Sequence, residues 1–217
     1  MAKKYVVEIT PQTCGEVFEE HGEVTTDEAV LFKYPENVAL VVFTGGHDVW
    51  PELYGENCGW NTYYSIQRDL YEGRMFEQAQ KHGIPCAGIC RGAQFLCVKA
   101  GGKLIQDITG HGGANHKITT NDGRIIRCNS SHHQMQLPNA EAVPLAWSER
   151  PLSKHYLNGD GDHVEVDREY EVVYYPTIKS LGCQFHPEWS MTCPQDGIEY
   201  AQEVVREYLF GKKAKAA

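Results

Sequence analysis

The chain has 217 residues, 41% of them hydrophobic, which fits one globular α/β-sized domain and leaves little room for a second catalytic domain. Its net charge of −9 repels phosphate backbones and argues against nucleic-acid binding. The first residues lack the apolar core of a signal peptide, and no stretch has the roughly 18 apolar residues of a membrane helix. We therefore expect a cytoplasmic protein that contacts no membrane.

Strands and helices alternate through the first half of the sequence, which predicts a parallel sheet covered by helices. A valine-rich segment fits a buried central strand that stops at Thr44-Gly45-Gly46. The predicted elements are a strand at 5–9, a helix at 13–21, a strand at 37–43, a helix at 60–81, a strand at 84–89 and a helix at 92–100.

The second half is predicted to be mostly short strands, which indicates an antiparallel excursion from the main sheet. These are strands at 117–120, 124–129 and 142–147, then a hairpin of 170–175 with 179–185, then a helix at 198–210. Residues 211–217 are expected to be a disordered tail of the single domain 1–217.

The eight cysteines are scattered along the chain and include no CxxC pair. Cys86 and Cys90 are four apart, and no matching Cys/His pair follows at the spacing of zinc ligands. The sequence therefore predicts reduced thiols and no structural metal.

The segment Gly88-Ile89-Cys90-Arg91-Gly92 stands where a buried strand turns into a helix, with small residues two positions either side of a nucleophile. This pattern is typical of a nucleophile elbow with cysteine in place of serine. The positive end of the following helix favours a thiolate. Taken alone, the segment also fits a buried cysteine at a strand end.

His186 and Glu188 lie two residues apart at the end of a predicted strand, so an extended backbone directs both side chains to one side. A histidine that takes a thiol proton needs a partner to fix its tautomer and stabilise its cation, and a carboxylate does both. Because these residues follow the cysteine elbow in a later strand, the sequence predicts a triad of Cys90, His186 and Glu188.

The glycine turn after the central strand is a candidate oxyanion loop. Backbone amides of Gly46 and Arg91 are predicted to form a two-donor oxyanion hole, each donor being worth about 3 to 4 kcal/mol. An ordinary turn is the alternative for these residues.

Five motifs follow one another along the chain: FTGGHDVWPELYG, GIPCAGICRGAQFL, GGKLIQDI, NSSHHQ and GCQFHPEW. In order and spacing they resemble the class I glutamine amidotransferase-like superfamily, most closely its γ-glutamyl hydrolase and γ-glutamyl-GABA hydrolase-like branch. The resemblance covers residues 38–189. It implies an α/β flavodoxin-like three-layer sandwich with a mostly parallel central sheet and a small antiparallel excursion. It also implies a cysteine acyl-enzyme mechanism with neither metal nor organic cofactor.

Carried over by position, the resemblance gives the triad the roles of nucleophile, base and orienting carboxylate. It implies that Gln94 lines the γ-glutamyl pocket, and that Ser131 and His132 meet the α-amino and α-carboxylate end of the substrate. Packing or capping is the alternative role for these three residues. Thr44 stands where many glutaminases have proline, so the oxyanion loop is expected to be less rigid.

Two enzymatic functions remain open for a small-molecule substrate. One is a glutaminase that cleaves glutamine through a thioester and supplies ammonia to a separate synthetase or ligase, since the chain has no ATP-binding motif. The other is a stand-alone γ-glutamyl hydrolase acting on γ-glutamyl peptides or amine conjugates, which Arg91 and the NSSHHQ motif favour. A catalytically silent binding module is disfavoured because every triad residue type is present.

Overall fold

The computed structural model describes residues 4–10 and 12–211. Its strands are β1 (Tyr5–Ile9), β2 (Glu23–Thr25), β3 (Val38–Phe43), β4 (Cys86–Ile89), β5 (Lys103–Ile105), β6 (Asp107–Ile108), β7 (His116–Thr120), β8 (Ile125–Cys128), β9 (Met135–Leu137), β10 (Val143–Ser148), β11 (Tyr156–Leu157), β12 (Tyr170–Tyr175) and β13 (Ser180–Cys183). The α-helices are α1 (Ala29–Lys33), α2 (Ile66–Lys81), α3 (Arg91–Lys99) and α4 (Gln195–Val204), which continues as a π-helix at Val205–Leu209. Short 3₁₀ helices occupy Cys14–His21, Pro35–Asn37, Pro51–Tyr54 and Pro176–Ile178.

A mixed sheet of nine strands organises the fold, in the order β2-β1-β3-β4-β13-β12-β10-β7-β8. Neighbours from β2 to β13 are parallel, and neighbours from β13 to β8 are antiparallel. The predicted antiparallel strands are confirmed, and they extend the central sheet because β12 pairs with both β13 and β10. Two further two-stranded sheets join β5 to β9 and β6 to β11.

Apolar residues alternate along the strands and divide between two cores, one on each face of the sheet. In β1, Val6 packs in the core that the Cys14–His21 helix and α4 cover, whereas Val7 packs in the core under α2 and α3. Leu40 and Val41 of β3 divide in the same way. Helices on both faces make the three-layer α/β sandwich, so the predicted fold class is confirmed.

The helix predicted at 60–81 begins later than expected, and that part of the prediction is wrong. Ser65 adopts an extended conformation and its hydroxyl accepts a hydrogen bond from the Arg68 N–H, so it is the N-cap and α2 starts at Ile66. Trp60 and Tyr63, which the sequence pattern assigned to the helix face, are 82% and 68% exposed on the preceding loop. These exposed aromatic residues have the same spacing as the buried face of a helix, so the sequence pattern placed the helix start too early.

The remaining predicted elements of the second half agree with the structure. The β12–β13 hairpin turns through the helix at Pro176–Ile178, and all eight cysteines are free. Gly211 is the last described residue, so the remainder of the predicted tail, 212–217, lies outside the described residues. Within residues 4–10 and 12–211, no helix is long and apolar enough to cross a membrane.

Candidate active site

The predicted chemical groups converge at the carboxyl ends of three neighbouring parallel strands. Thr44 follows β3, Cys90 follows β4, and His186 lies shortly after β13. These strands are adjacent, with β4 between β3 and β13. The crevice at this edge is where open α/β sheets bind their ligands.

Cys90 occupies a sharp turn between β4 and α3, with a φ of 52° and a ψ of −110°. A positive φ strains a residue that has a side chain, and such strain clusters at functional sites. The Cys90 N–H donates to the Cys183 carbonyl at 2.8 Å and ties the turn to β13. A Cβ on Gly88 would overlap the carbonyl of Gly92, and a Cβ on Gly92 would overlap the carbonyl of Phe43. The glycines of the elbow motif therefore meet a steric requirement.

His186 is held on three sides. Its Nδ1 lies 2.7 Å from Glu188 Oε1. Its backbone N–H donates to Asn129 Oδ1 at 2.9 Å, and its carbonyl accepts from Asn129 Nδ2 at 2.9 Å. Its ring stacks on Trp189 with centroids 3.8 Å apart and planes within 8°. Because an ionised carboxylate only accepts, Nδ1 carries a proton and Nε2 is the nitrogen left for Cys90.

The charge state of His186 is set by its partners. Burial acts to lower its pKa, but hydrogen bonds and charge interactions with Cys90 and Glu188 outweigh burial and raise the pKa to about 10. The raised pKa favours an imidazolium at neutral pH. This cation is the partner that a Cys90 thiolate requires.

The other buried thiols lack this environment. Burial raises the pKa of Cys86 and of Cys97 to about 12, and raises that of Cys183 well above its ordinary value. Cys58 is exposed on the surface. Cys90 alone combines the strained elbow with a histidine partner.

The glycine loop after β3 lies over His186. A Cβ built on Gly45 would be 3.2 Å from His186 Cε1. Arg68 Nη2 donates to the carbonyls of Gly45 at 2.8 Å and Thr44 at 3.1 Å. In a planar trans peptide the carbonyl and the following N–H point in opposite directions. The contact from Arg68 to the Gly45 carbonyl therefore turns the Gly46 N–H away from α2.

Thr44, at the position where the resemblance led us to expect proline, is anchored by hydrogen bonds. Its hydroxyl donates to the Thr10 carbonyl at 2.7 Å and accepts from Arg68 at 3.3 Å. These two contacts restrain the oxyanion loop, whose sequence had led us to expect less rigidity.

A buried ion network lies under this loop. The Arg91 side chain, 1% exposed, pairs with Asp69 and Glu72 of α2, and Arg68 Nε donates to Glu72 at 2.8 Å. Burial lowers the pKa of Arg91 to about 9, which is still above neutral pH, so its guanidinium stays charged, and burial raises the pKa of Asp69. The network draws the Arg91 side chain toward α2, while its backbone N–H belongs to the first turn of α3, where helical amides have no intrahelical acceptor.

The three residues predicted to contact the substrate, Gln94, Ser131 and His132, lie in different environments. Gln94 Nε2 and His132 Nδ1 both donate to the Gln134 carbonyl, at 3.0 and 2.9 Å. Burial, with repulsion from His111, holds the pKa of His132 well below its ordinary value, so its ring is neutral. Within the described chain, His132 Nε2 has no hydrogen-bond partner. Ser131 is exposed and forms a single β-bridge with Gly112.

A large cavity of about 990 Å³ opens beside Glu188 and does not include Cys90 in its lining. Its lining is acidic, with Glu16, Glu19 and Glu23, and holds no cysteine. The convergence of the triad therefore marks the candidate site more directly than cavity volume does.

Sequence reasoning missed Arg68, Asp69, Glu72 and Asn129. Charged residues on an amphipathic helix usually face water, so those of α2 resembled a solvated face, yet Asp69 is 3% exposed and Glu72 is fully buried. Asn129 opens the NSSHHQ motif, and that motif was the available signal for it.

A model of the Peptidase C26 family matches residues 23–149, which is more than half of the chain and includes Cys90. The chain belongs to the Peptidase C26 family. The predicted class I glutamine amidotransferase-like superfamily is thereby confirmed. The matched segment ends before His186 and Glu188, so the pairing of these two residues with Cys90 rests on the geometry above.

Relatives of this Peptidase C26 protein include the glutamine amidotransferase-like protein YvdE of Lactococcus lactis subsp. lactis. It is 37% identical over 110 residues, 48% of this chain and 46% of that protein. A carbamoyl phosphate synthase small chain from Pseudomonas syringae pv. tomato is 33% identical over 121 residues, 55% of this chain and 29% of that protein. The matched stretches thus span less than half the length of these curated relatives.

Among solved structures, a glutamine amidotransferase from Thermotoga maritima superposes with a TM-score of 0.61 at 20% identity. The superposition covers 99% of this chain and 87% of that one. This likeness shows that the Peptidase C26 protein shares the glutamine amidotransferase fold.

Proposed function

We propose that this protein hydrolyses a γ-glutamyl amide through a γ-glutamyl thioester on Cys90, with glutamine as substrate and glutamate and ammonia as products. The observation that carries the proposal is the convergence at one sheet edge of a strained cysteine turn, a glycine loop and a histidine 2.7 Å from a carboxylate.

In the proposed reaction, the Cys90 thiolate attacks the γ-carbonyl carbon while His186 holds a proton on Nε2. When the tetrahedral intermediate collapses, the C–N bond breaks and His186 gives this proton to the leaving amine. Water then attacks the thioester, His186 takes its proton, and glutamate leaves as the thiolate re-forms. Glu188 stabilises the imidazolium and fixes the ring orientation.

The oxyanion is proposed to accept hydrogen bonds from the amides of Gly46 and Arg91. Two features support this role: the Arg68 contact that turns the Gly46 N–H away from α2, and the position of Arg91 at the start of α3. Preorganised donors of this kind stabilise charge that develops only in the transition state.

The α-amino group of the substrate is assigned to acceptors near the elbow. Because Gln94 and His132 both use their N–H groups on the Gln134 carbonyl, Gln94 Oε1 and His132 Nε2 remain to accept hydrogen bonds. Acceptors suit an α-ammonium group, and the exposed hydroxyl of Ser131 suits the α-carboxylate.

The ammonia is proposed to reach a separate synthetase or ligase. A relative named as the small chain of carbamoyl phosphate synthase supports this idea, as does the lack of a P-loop motif in this chain.

A second candidate is a stand-alone γ-glutamyl hydrolase that acts on γ-glutamyl peptides or amine conjugates. The match to a peptidase family supports it. Trp60 and Tyr63 also support it. Both are exposed on the segment that pairs with Asp48, just after the oxyanion loop. Aromatic surface at this place can contact a leaving group larger than ammonia.

The test is glutamate release by the purified protein from glutamine, γ-glutamyl peptides, γ-glutamyl amines, N-acetylglutamine and asparagine, with Cys90→Ala as control. Preference for glutamine supports the first function, and strong preference for a peptide or amine conjugate supports the second. Equal turnover of N-acetylglutamine and glutamine would contradict the head-group assignment. Glutamate release that persists in Cys90→Ala would contradict the mechanism.

A further inference from the structure

A cluster of metal-ligating side chains lies outside the triad. His111 from the β6–β7 connection, His116 of β7 and Glu171 of β12 each offer one ligand atom, and these atoms lie within 4.8 Å of one another. His116 Nε2 is 3.0 Å and His111 Nδ1 is 3.5 Å from Glu171 Oε1. His111 and Glu171 are fully buried, and His116 is nearly so.

The Nδ1 atom of His111 faces this cluster. Its Nε2 lies 3.2 Å from Glu169 Oε2, which can only accept, so Nε2 carries a proton. Nδ1 is 3.0 Å from Ser130 Oγ and 3.5 Å from Glu171 Oε1. Because the Ser130 hydroxyl donates to the His111 carbonyl, Nδ1 carries the second proton of an imidazolium when no metal is bound, and a metal ion would take the place of that proton.

Glu171 has an unpaired oxygen. Its buried Oε2 has no hydrogen-bond partner among the described residues. An unpaired buried carboxylate oxygen is costly, and a bound cation would remove that cost. The unpartnered carboxylate oxygen, next to two imidazoles, therefore indicates a cation site.

The surroundings of His111 are those of a metal ligand. Histidines that bind metals usually donate their other N–H to a carboxylate, which fixes the ring and raises its basicity. Glu169 fills this place, and it is itself fixed by the N–H groups of Leu152 and Ser153, at 2.9 and 2.7 Å, and by the Tyr156 hydroxyl at 2.9 Å.

The donor set favours zinc. Two imidazole nitrogens and one carboxylate form a common zinc site that leaves a fourth position open. Zinc bonds of about 2.0–2.3 Å in a tetrahedron give ligand-to-ligand distances of about 3.3–3.8 Å. The separations of 3.0 and 3.5 Å in this cluster are near that range.

We propose that His111, His116 and Glu171 bind a divalent transition-metal ion, zinc in the first place. A cavity of about 470 Å³ that includes His116 in its lining provides an entry path. The His132 ring lies 4.5 Å from the His111 ring, so the ion would brace the segment that carries the head-group residues. This site is independent of the proposed reaction.

Sequence spacing gave no indication of this site, and it predicted no metal. The ligands come from a loop and two separate strands of the antiparallel half of the sheet, and 55 positions separate His116 from Glu171. Spacing rules detect ligands on one short loop or helix, and they do not detect a site assembled across a sheet.

The test uses full-length protein without a histidine tag, in a Cys90→Ala background so that the catalytic pair cannot bind the metal. The protein is loaded with Zn²⁺, gel-filtered and analysed by elemental mass spectrometry, with about one ion per chain expected. In a parallel sample, Co²⁺ replaces Zn²⁺, and the visible absorption of tetrahedral Co²⁺ is expected.

Variants then separate a metal site from a hydrogen-bonded network. His116→Gln and Glu171→Gln should lose the ion, whereas His163→Gln, at an exposed histidine outside the cluster, should retain it. Glu169→Gln should weaken zinc binding about 10- to 100-fold, measured by competition with a chromogenic chelator. The proposal is overturned if the Cys90→Ala parent retains no zinc and shows no tetrahedral Co²⁺ spectrum, or if folded His116→Gln and Glu171→Gln retain zinc as the parent does.

Discussion

Replacing Arg68 with lysine tests whether the buried network orients the oxyanion loop. Lysine keeps the positive charge, but its single ammonium cannot reach Glu72 and the carbonyls of Thr44 and Gly45 together, as the guanidinium fork does. We expect kcat to fall about 100-fold, the low end of the 10² to 10³ that loss of one oxyanion donor costs. KM should change little, because the oxyanion forms only after the substrate is bound.

The assay compares two reactions of the same cysteine. Steady-state turnover of the best γ-glutamyl substrate passes through an oxyanion, whereas alkylation of Cys90 by iodoacetamide does not. We expect Arg68→Lys to slow turnover and to leave the alkylation rate unchanged. Arg74→Lys, on the exposed side of α2, is the matched control. Arg68→Met, which removes a charge from the network, should also destabilise the fold, since breaking a buried ion pair costs about 3–5 kcal/mol.

Two results would refute this reasoning. Wild-type kcat in a folded Arg68→Lys variant would show that the network does not orient the loop. Equal losses of turnover and alkylation would show that Arg68 acts on the thiolate and not on the oxyanion.

Three further predictions concern the triad. Cys90→Ala should abolish turnover, His186→Ala should come close, and Glu188→Ala should retain more activity because orientation is a smaller contribution than nucleophilicity; an unimpaired His186→Ala would refute the assigned base. A diazoketone analogue of glutamine should label Cys90 alone, and peptide mapping that finds the label on Cys58 or Cys86 with Cys90 unmodified would contradict the site. The raised pKa of His186 contributes stability that is fully present below the ordinary histidine pKa of 6.5 and is lost as pH rises toward about 10. The melting temperature should therefore fall between pH 6.5 and pH 10, and less so in Glu188→Gln; equal slopes would argue against the ion pair.

The elements that could be predicted from sequence are those whose signal is local. The elbow around Cys90 could be predicted because the nucleophile and the small residues that mark the turn lie within five consecutive residues. Strand β3 could be predicted because an uninterrupted valine-rich run is typical of a strand buried on both faces.

Features that depend on distant partners could not be predicted. Asp69 and Glu72 are buried where Arg91 arrives from another helix and pairs with them, whereas a sequence pattern assigns charged residues of a helix to its solvated face. The start of α2 was predicted too early because exposed aromatic residues fit the helical period as well as buried ones do. Their exposure becomes known only when the sheet is assembled.

The position of the elbow in the sheet has a consequence for amide hydrogen exchange. Ile89 of β4 and Cys183 of β13 are paired in register, and the Cys90 N–H extends that ladder to Cys183. These strands are central, so their amides should exchange only through global opening of the domain. Ser131 is exposed, but its neighbours Ser130 and His132 are buried and hydrogen-bonded to His111. The Cys90 amide should therefore exchange only when the whole domain unfolds, and its protection in denaturant would report whether the elbow survives.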